Sequence, residues 1–159
     1  MENYMKLEIA ALGENESFAR NAVAAFALAL DPTVEELSDI KTAVSEAVTN
    51  GIVHAYKETV FNENKKILIE CKIEREKECG KLHISITDYG CGIEDVERAM
   101  TPFFTTLAGE ERSGMGFTIM QTFTDGFTVS SERGKGTKVE MVKKIAAEGK
   151  DRAKERVNA

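Results

Sequence analysis

Between Thr33 and Ala55 the chain carries two interleaved rows of residues at one spacing. Val44, Val48 and Ile52 form an apolar row, and Glu46, Asn50 and His54 form a polar one. Residues four apart stack on one face of an α-helix, so the two rows predict two faces of one long helix. Thr33-Val34-Glu35-Glu36 supplies its start, with the threonine capping the first turn and the glutamate three residues on reaching back. The helix is expected over about 34–55. The apolar row can pack into a core while the polar row faces a cleft. A carboxylate one turn before a carboxamide also meets two needs of a magnesium–nucleotide site: one group can take a proton and the other offers the metal a hard oxygen. Polar rows on helices are usually just solvated, so this row gains meaning only from the rest of the chain.

Strand patterns surround the helix. Met5, Leu7, Ile9 and Ala11 alternate with polar or small residues, predicting a half-buried strand that ends before Gly13. Residues 15–30 are Ala-rich, with Phe18, Val23, Phe26 and Leu30 on a helical repeat, and predict a first helix. Arg20 is its only cation; a solvated surface residue is the ordinary reading of it. Asp31-Pro32 breaks this helix. Ile67, Ile69, Cys71 and Ile73 alternate, as do Leu82, Ile84 and Ile86, and the polar stretch with Gly80 between them predicts a hairpin. His83 falls on its polar side. Phe127, Val129 and Ser131, then Thr137, Val139 and Met141, predict a second hairpin around Gly134-Lys135-Gly136. One apolar and one polar face per strand suits a mixed, mostly antiparallel sheet with helices on a single side. The expected fold is α+β, a two-layer sandwich.

Composition narrows what such a fold can do. At 159 residues, one domain spanning 1–145 is expected, followed by a charged, frayed tail over 146–159. A net charge of −6 argues against direct nucleic-acid binding, which needs clustered cations. No apolar run is long enough for a bilayer and no signal peptide is expected, so a cytoplasmic chain without membrane contact is the expectation. Cys71, Cys79 and Cys91 are odd in number and lack CxxC spacing, which disfavours zinc and a disulfide framework.

Two glycine motifs add chemistry. Asp88-Tyr89-Gly90-Cys91-Gly92 ends a strand, placing a carboxylate where it can accept from the exocyclic amine of adenine, while glycines let backbone approach a ligand. A simple Gly-rich turn would look the same. Residues 94–100 predict a short helix. Thr101-Pro102-Phe103-Phe104-Thr105-Thr106 then leads into an irregular 107–113, a candidate mobile lid or an ordinary surface loop. Gly114-Met115-Gly116 opens an apolar helix over 118–123, and free N–H groups at a helix start suit phosphate. Neither a Walker A sequence nor a complete GxGxxG occurs, which excludes a P-loop or Rossmann site.

Taken in order, Glu46-x-x-x-Asn50, Asp88-x-Gly90-x-Gly92, the Phe-Thr-Thr segment, Gly114-x-Gly116 and Gly136-Thr137 resemble the GHKL ATPases. More narrowly, SEAVTNGIVHAY, ERSGMGFTIM, NESFAR and LDPTVEEL resemble the sporulation anti-sigma factors that are serine protein kinases, and the likeness runs to about residue 144. The resemblance implies a Bergerat-type ATP/ADP site with Mg²⁺, a sigma factor as one partner, an anti-anti-sigma protein phosphorylated on serine as another, and a homodimer.

The same resemblance implies individual roles. Glu46 is then the general base and Asn50 the Mg²⁺ ligand. Asp88 reads the adenine amine; Gly90, Gly92, Gly114 and Gly116 line the nucleotide; Thr105 and Thr106 lie in the lid; Thr137 lies near the base. The lid departs from the family at Leu107, where Lys is common, so Arg112 becomes the candidate for the γ-phosphate. Arg20, on a helix whose outer face is expected to be flat and small, is the candidate partner anchor, since its planar fork suits carboxylates. A stress-response partner switch, or a nucleotide-gated binder without kinase activity, are the alternatives. Glu46 speaks against the second, because a pure binder needs no base.

Overall fold

A computed structural model of the chain describes residues 2–56, 65–102 and 114–146. Five strands, β1 (Asn3–Ala10), β2 (Lys66–Arg75), β3 (Cys79–Asp88), β4 (Gly126–Glu132) and β5 (Gly136–Ala146), form one sheet in the order β1-β2-β3-β5-β4. The expectation of a mixed, mostly antiparallel sheet resolves to antiparallel pairing at all four described contacts. The helices are α1 (Asn15–Ala27), extended by a 3₁₀ turn over Leu28–Leu30, α2 (Val34–Val53), α3 (Val96–Ala99) and α4 (Gly116–Phe123).

Strand alternation sorts the sheet into two faces. Ile69, Cys71, Ile84, Ile86, Val139 and Met141 point inward and join a single core with Ile40, Val44 and Val48 of α2. The opposite face carries Lys6, Glu70, Glu74, His83 and Glu140, with Lys6 directly across from Glu70 at 3.4 Å. Among the described residues the helices cover one side only, as a two-layer α+β sandwich requires. Cys71 is core filler, its thiol pushed up to about 12 by burial.

The middle of the helical layer is α2, packed between α1 and α4. Its start is the expected reciprocal cap: Thr33 Oγ1 accepts the Glu36 N–H at 3.1 Å and Glu36 Oε2 accepts the Thr33 N–H at 2.8 Å, worth about 1 kcal/mol. The preceding break is sharp, with Asp31 in the left-handed region at φ 53° just before Pro32.

Three local expectations change. The repeat predicting that Phe18 packs inward fails: Phe18 is 57% exposed, and Ala19, Val23, Ala24 and Ala27 are the buried face. Small residues let α1 lie close to α2, so its small-residue side is the inner one and not a flat outer surface. Gly80 is not in the hairpin turn but inside β3, where a Cβ would stand 2.4 Å from Leu30 Cδ2. The expected helix 94–100 shortens to α3. Of the tail expected over 146–159, Ala146 closes β5 and the rest lies outside the described residues. Among the described residues no helix is long and apolar enough to cross a membrane.

Candidate functional site

The cross-strand rows at the middle of the inner face are apolar. Ile69, Ile86, Val139 and Val129 form one such row. The next row is Ile67, Asp88, Thr137 and Ser131. Three polar residues thus replace core side chains at a single step. Asp88 Oδ1 accepts the Gly90 N–H at 3.0 Å and the Thr137 N–H at 3.2 Å. Both bonds anchor the same oxygen, so Oδ2 keeps its lone pairs for a donor. Burial pushes the Asp88 carboxyl above its ordinary range, and the two backbone bonds pull partly against that.

The turn after Asp88 is held from two sides. The Cys91 N–H donates to Ala55 O at 2.7 Å, and the Gly134 N–H donates to Cys91 O at 2.7 Å. A Cβ at Gly90 would stand 2.0 Å from Ala55 O; at Gly92, where φ is +72°, it would stand 2.1 Å from Glu132 O. The motif's glycines are therefore required by the protein's own backbone, whatever else approaches them. Sequence reasoning missed the residue that braces this turn. Tyr56 is buried, and its hydroxyl donates to Lys66 O at 2.6 Å and accepts the Tyr89 N–H at 3.0 Å. The one available signal was an aromatic body with a polar tip right after the motif helix.

On the helical layer, α2 presents Glu46 and Asn50, both partly buried, one turn apart. The first residue of α4 faces them: a Cβ at Gly116 would meet Glu46 Oε2 and Asn50 Nδ2, each at 3.2 Å. Gly114 enters this turn at φ +67°, and the N-cap Met115 supplies no side-chain cap. The start of α4 thus offers backbone N–H groups beside a carboxylate and a carboxamide, a donor set suited to a metal-bound phosphate. His54 lies just past the end of α2 as its C-cap, with its carbonyl accepting from Cys91 Sγ at 3.5 Å.

The fold therefore gathers Glu46, Asn50, Gly114 and Gly116 on the helix side, and Asp88, Gly90, Gly92 and Thr137 at the sheet end. Gly51 of α2 links the two groups, since a Cβ there would lie 3.0 Å from Ile67 Cδ1 and 3.8 Å from Asp88 Cβ. Thr105, Thr106, Leu107 and Arg112, with the expected lid after Pro102, lie outside the described residues. Arg20 is separate from this group: it sits on α1, partly exposed, 3.8 Å from Glu16 Oε1.

An antiparallel sheet under one helical layer, with an acid at a strand end near a Glu/Asn helix, is the architecture of a GHKL-type domain. Residues 9–143 match the model of the family described as "Histidine kinase-like ATPase domain". Over 144 residues the chain is 55% identical to the anti-sigma F factor of Clostridium botulinum (strain Alaska E43 / Type E3), covering 91% of this chain and 96% of that one. Over 147 residues it is 51% identical to the anti-sigma F factor of Clostridium acetobutylicum, covering 92% and 96%. The chain belongs to the histidine kinase-like ATPase domain family and, within it, to the anti-sigma F factors. The crystal structure of the RsbU and RsbW domains of a Mycobacterium tuberculosis protein shares the fold, with a TM-score of 0.65, 14% identity, and coverage of 93% of this chain and 34% of that one.

Proposed function

We propose that this chain is an ATP-dependent anti-sigma factor that sequesters a sporulation sigma factor in the cytoplasm and phosphorylates the anti-anti-sigma partner on serine. The observation that carries the kinase part is the convergence of Glu46 Oε2 and the Asn50 carboxamide on the first residue of α4. Phosphoryl transfer demands mostly positioning and charge neutralisation. When bound, MgATP supplies the transferable phosphoryl group and the metal charge that neutralises it.

The chain's own residues divide the remaining work. Asp88 Oδ2 accepts from the adenine amine, and Thr137 stands beside it. Asn50 offers its carboxamide oxygen to Mg²⁺. The backbone N–H groups that open α4 hold phosphate oxygens, with Gly114 and Gly116 keeping side chains out of the way. Glu46 orients the incoming serine hydroxyl and takes its proton. Resemblance alone adds Thr105, Thr106 and Arg112 to the nucleotide's surroundings, and adds the homodimer. Arg20 remains the proposed partner anchor, although the small-residue side of α1 is its buried one. ADP occupies the same site after transfer.

The test is incubation of wild type and Glu46→Ala with labelled ATP and a candidate anti-anti-sigma protein. Phosphorylation is expected to fall by about 10²–10⁴-fold in the mutant, with ATP affinity retained, because the base acts on the hydroxyl and not on the nucleotide. Near wild-type transfer by the mutant would remove Glu46 from the chemistry. No transfer by the wild type would favour the nucleotide-gated binder instead.

A further inference from the structure

The polar row at the sheet end contains one residue with no place in the motifs. Ser131 lies on β4 directly opposite Thr137. Its Oγ accepts the Ile93 N–H at 2.7 Å, lies 3.0 Å from Gly136 O and lies 2.8 Å from Thr137 Oγ1. A hydroxyl has one proton and two lone pairs. Ile93 takes one lone pair. Gly136 O is acceptor-only, so this contact is a hydrogen bond only when the Ser131 proton points at it. The second lone pair of Ser131 then receives the Thr137 proton. This is the assignment that makes all three contacts hydrogen bonds.

The consequence falls on Thr137. With its proton committed to Ser131, its oxygen faces a ligand as an acceptor. Asp88, the cross-strand neighbour of Thr137, is also an acceptor through Oδ2. At position six an amino purine brings donors to this pair and an oxo purine an acceptor that is repelled; the oxo purine's one compensating donor, N1–H, sits on the adjacent ring atom. Ser131 also ties the turn after Asp88 to the β4–β5 hairpin through Ile93, so the two acceptors are held in register.

We propose that Ser131 is a positioning residue that sets base specificity, by orienting the Thr137 hydroxyl so that Thr137 and Asp88 together select a six-amino over a six-oxo purine. This rests on the nucleotide site proposed above. It differs from a structural role in one measurable way. Loosening the hairpin weakens all nucleotides alike, whereas freeing the Thr137 proton narrows the gap between ATP and inosine triphosphate, which carries a six-oxo group.

The experiment measures the affinity of the full chain for MgATP and for magnesium inosine triphosphate by calorimetry. The variants are Ser131→Ala, the near-isosteric poor hydrogen-bonder Ser131→Cys, and the hydroxyl-retaining Ser131→Thr. The wild type is expected to prefer ATP. Ser131→Ala and Ser131→Cys are expected to cut that preference by about tenfold, the worth of one net hydrogen bond, and Ser131→Thr to restore most of it. A wild-type ratio in Ser131→Cys overturns the proposal, and does so even where Ser131→Ala is too unstable to assay. A wild type that binds both nucleotides equally overturns the selection while sparing the site. A wild type that binds neither overturns the nucleotide reading itself.

Discussion

The inner face of the sheet carries a charged residue toward each end of β5's apolar pair Val139 and Met141, and the fold treats the two in opposite ways. Beyond Met141, Lys143 is enclosed. Its Nζ donates to Asp39 Oδ2 of α2 at 2.7 Å and to Phe123 O at the end of α4 at 3.1 Å. Before Val139, the row of Thr137 contains Asp88, whose backbone partners use only one of its two oxygens. Lys143 has an internal acceptor of opposite charge; Asp88 has dipoles and a raised pKa. The first arrangement is a lock between two helices and the sheet. The second leaves hydrogen-bonding capacity for something the chain does not itself supply. A partly buried charge satisfied from within is a structural feature, whereas one satisfied by halves is a candidate site.

The apolar row between the two sets the scale for this contrast. Ile84 is 2% exposed and lies between Cys71 and Met141 in the sheet. Ile84→Ala is expected to cost about 2–5 kcal/mol in urea titration, from lost transfer energy and the cavity left behind. A loss under about 1 kcal/mol would show that the site can collapse and that the core is looser than the row pattern implies.

Lys143 tests the closed end. Its side chain is 12% exposed and that of Asp39 is 23%, so neither charge is well solvated. Lys143→Met keeps the aliphatic stem but strands the carboxylate and removes the donor to Phe123 O. The expected loss is about 1–3 kcal/mol, and adding Asp39→Asn should recover part of it. If Lys143→Met alone is neutral by chemical denaturation, the lock contributes nothing and the contrast between the two ends fails.

What could be read from the chain depended on whether the signal was periodic. The strands were legible because an apolar row every second residue directly reflects one buried face. The Thr33–Glu36 cap and the Val44/Val48 row were legible because four-residue spacing leaves few alternatives. Phe18 misled because size and repeat say which residues share a face, not which face turns inward, and alanines won the close contact with α2. Gly80 misled because a glycine inside a strand, placed there for Leu30, looks like a turn. At the site, Glu46 and Asn50 were adjacent by helix geometry alone. That Asp88, Thr137 and Ser131 form one row depended on pairing between β3, β5 and β4. The hairpin placed Ser131 near Thr137, but no local pattern encodes the pairing of β5 with β3, so nothing joined Ser131 to Asp88.

The smallest expected effect on stability, and the most direct test of the open end, is Asp88→Asn. The asparagine Oδ1 can keep both backbone bonds, from Gly90 and Thr137, while the burial of a charge disappears. The folded-state pKa of Asp88 is raised above its ordinary 3.8. The native chain therefore holds this proton to higher pH than the unfolded chain does, and its stability falls as pH rises from about 4 through the folded pKa. Asp88→Asn removes that slope. Its stability should equal the wild type's at pH near 4 and be equal or slightly higher at pH 7. Nucleotide binding should move the other way. The ionised carboxylate accepts from an amine, so wild-type ATP affinity should decline on acidification at a higher pH than an ordinary carboxylate would give, and the variant's affinity should be weak and flat across the same range. Denaturation midpoints and ATP titrations at a series of pH values measure both. A variant that is destabilised at pH 7 yet binds ATP normally would make Asp88 a second Lys143, a residue kept for the fold, and would erase the difference between the two ends.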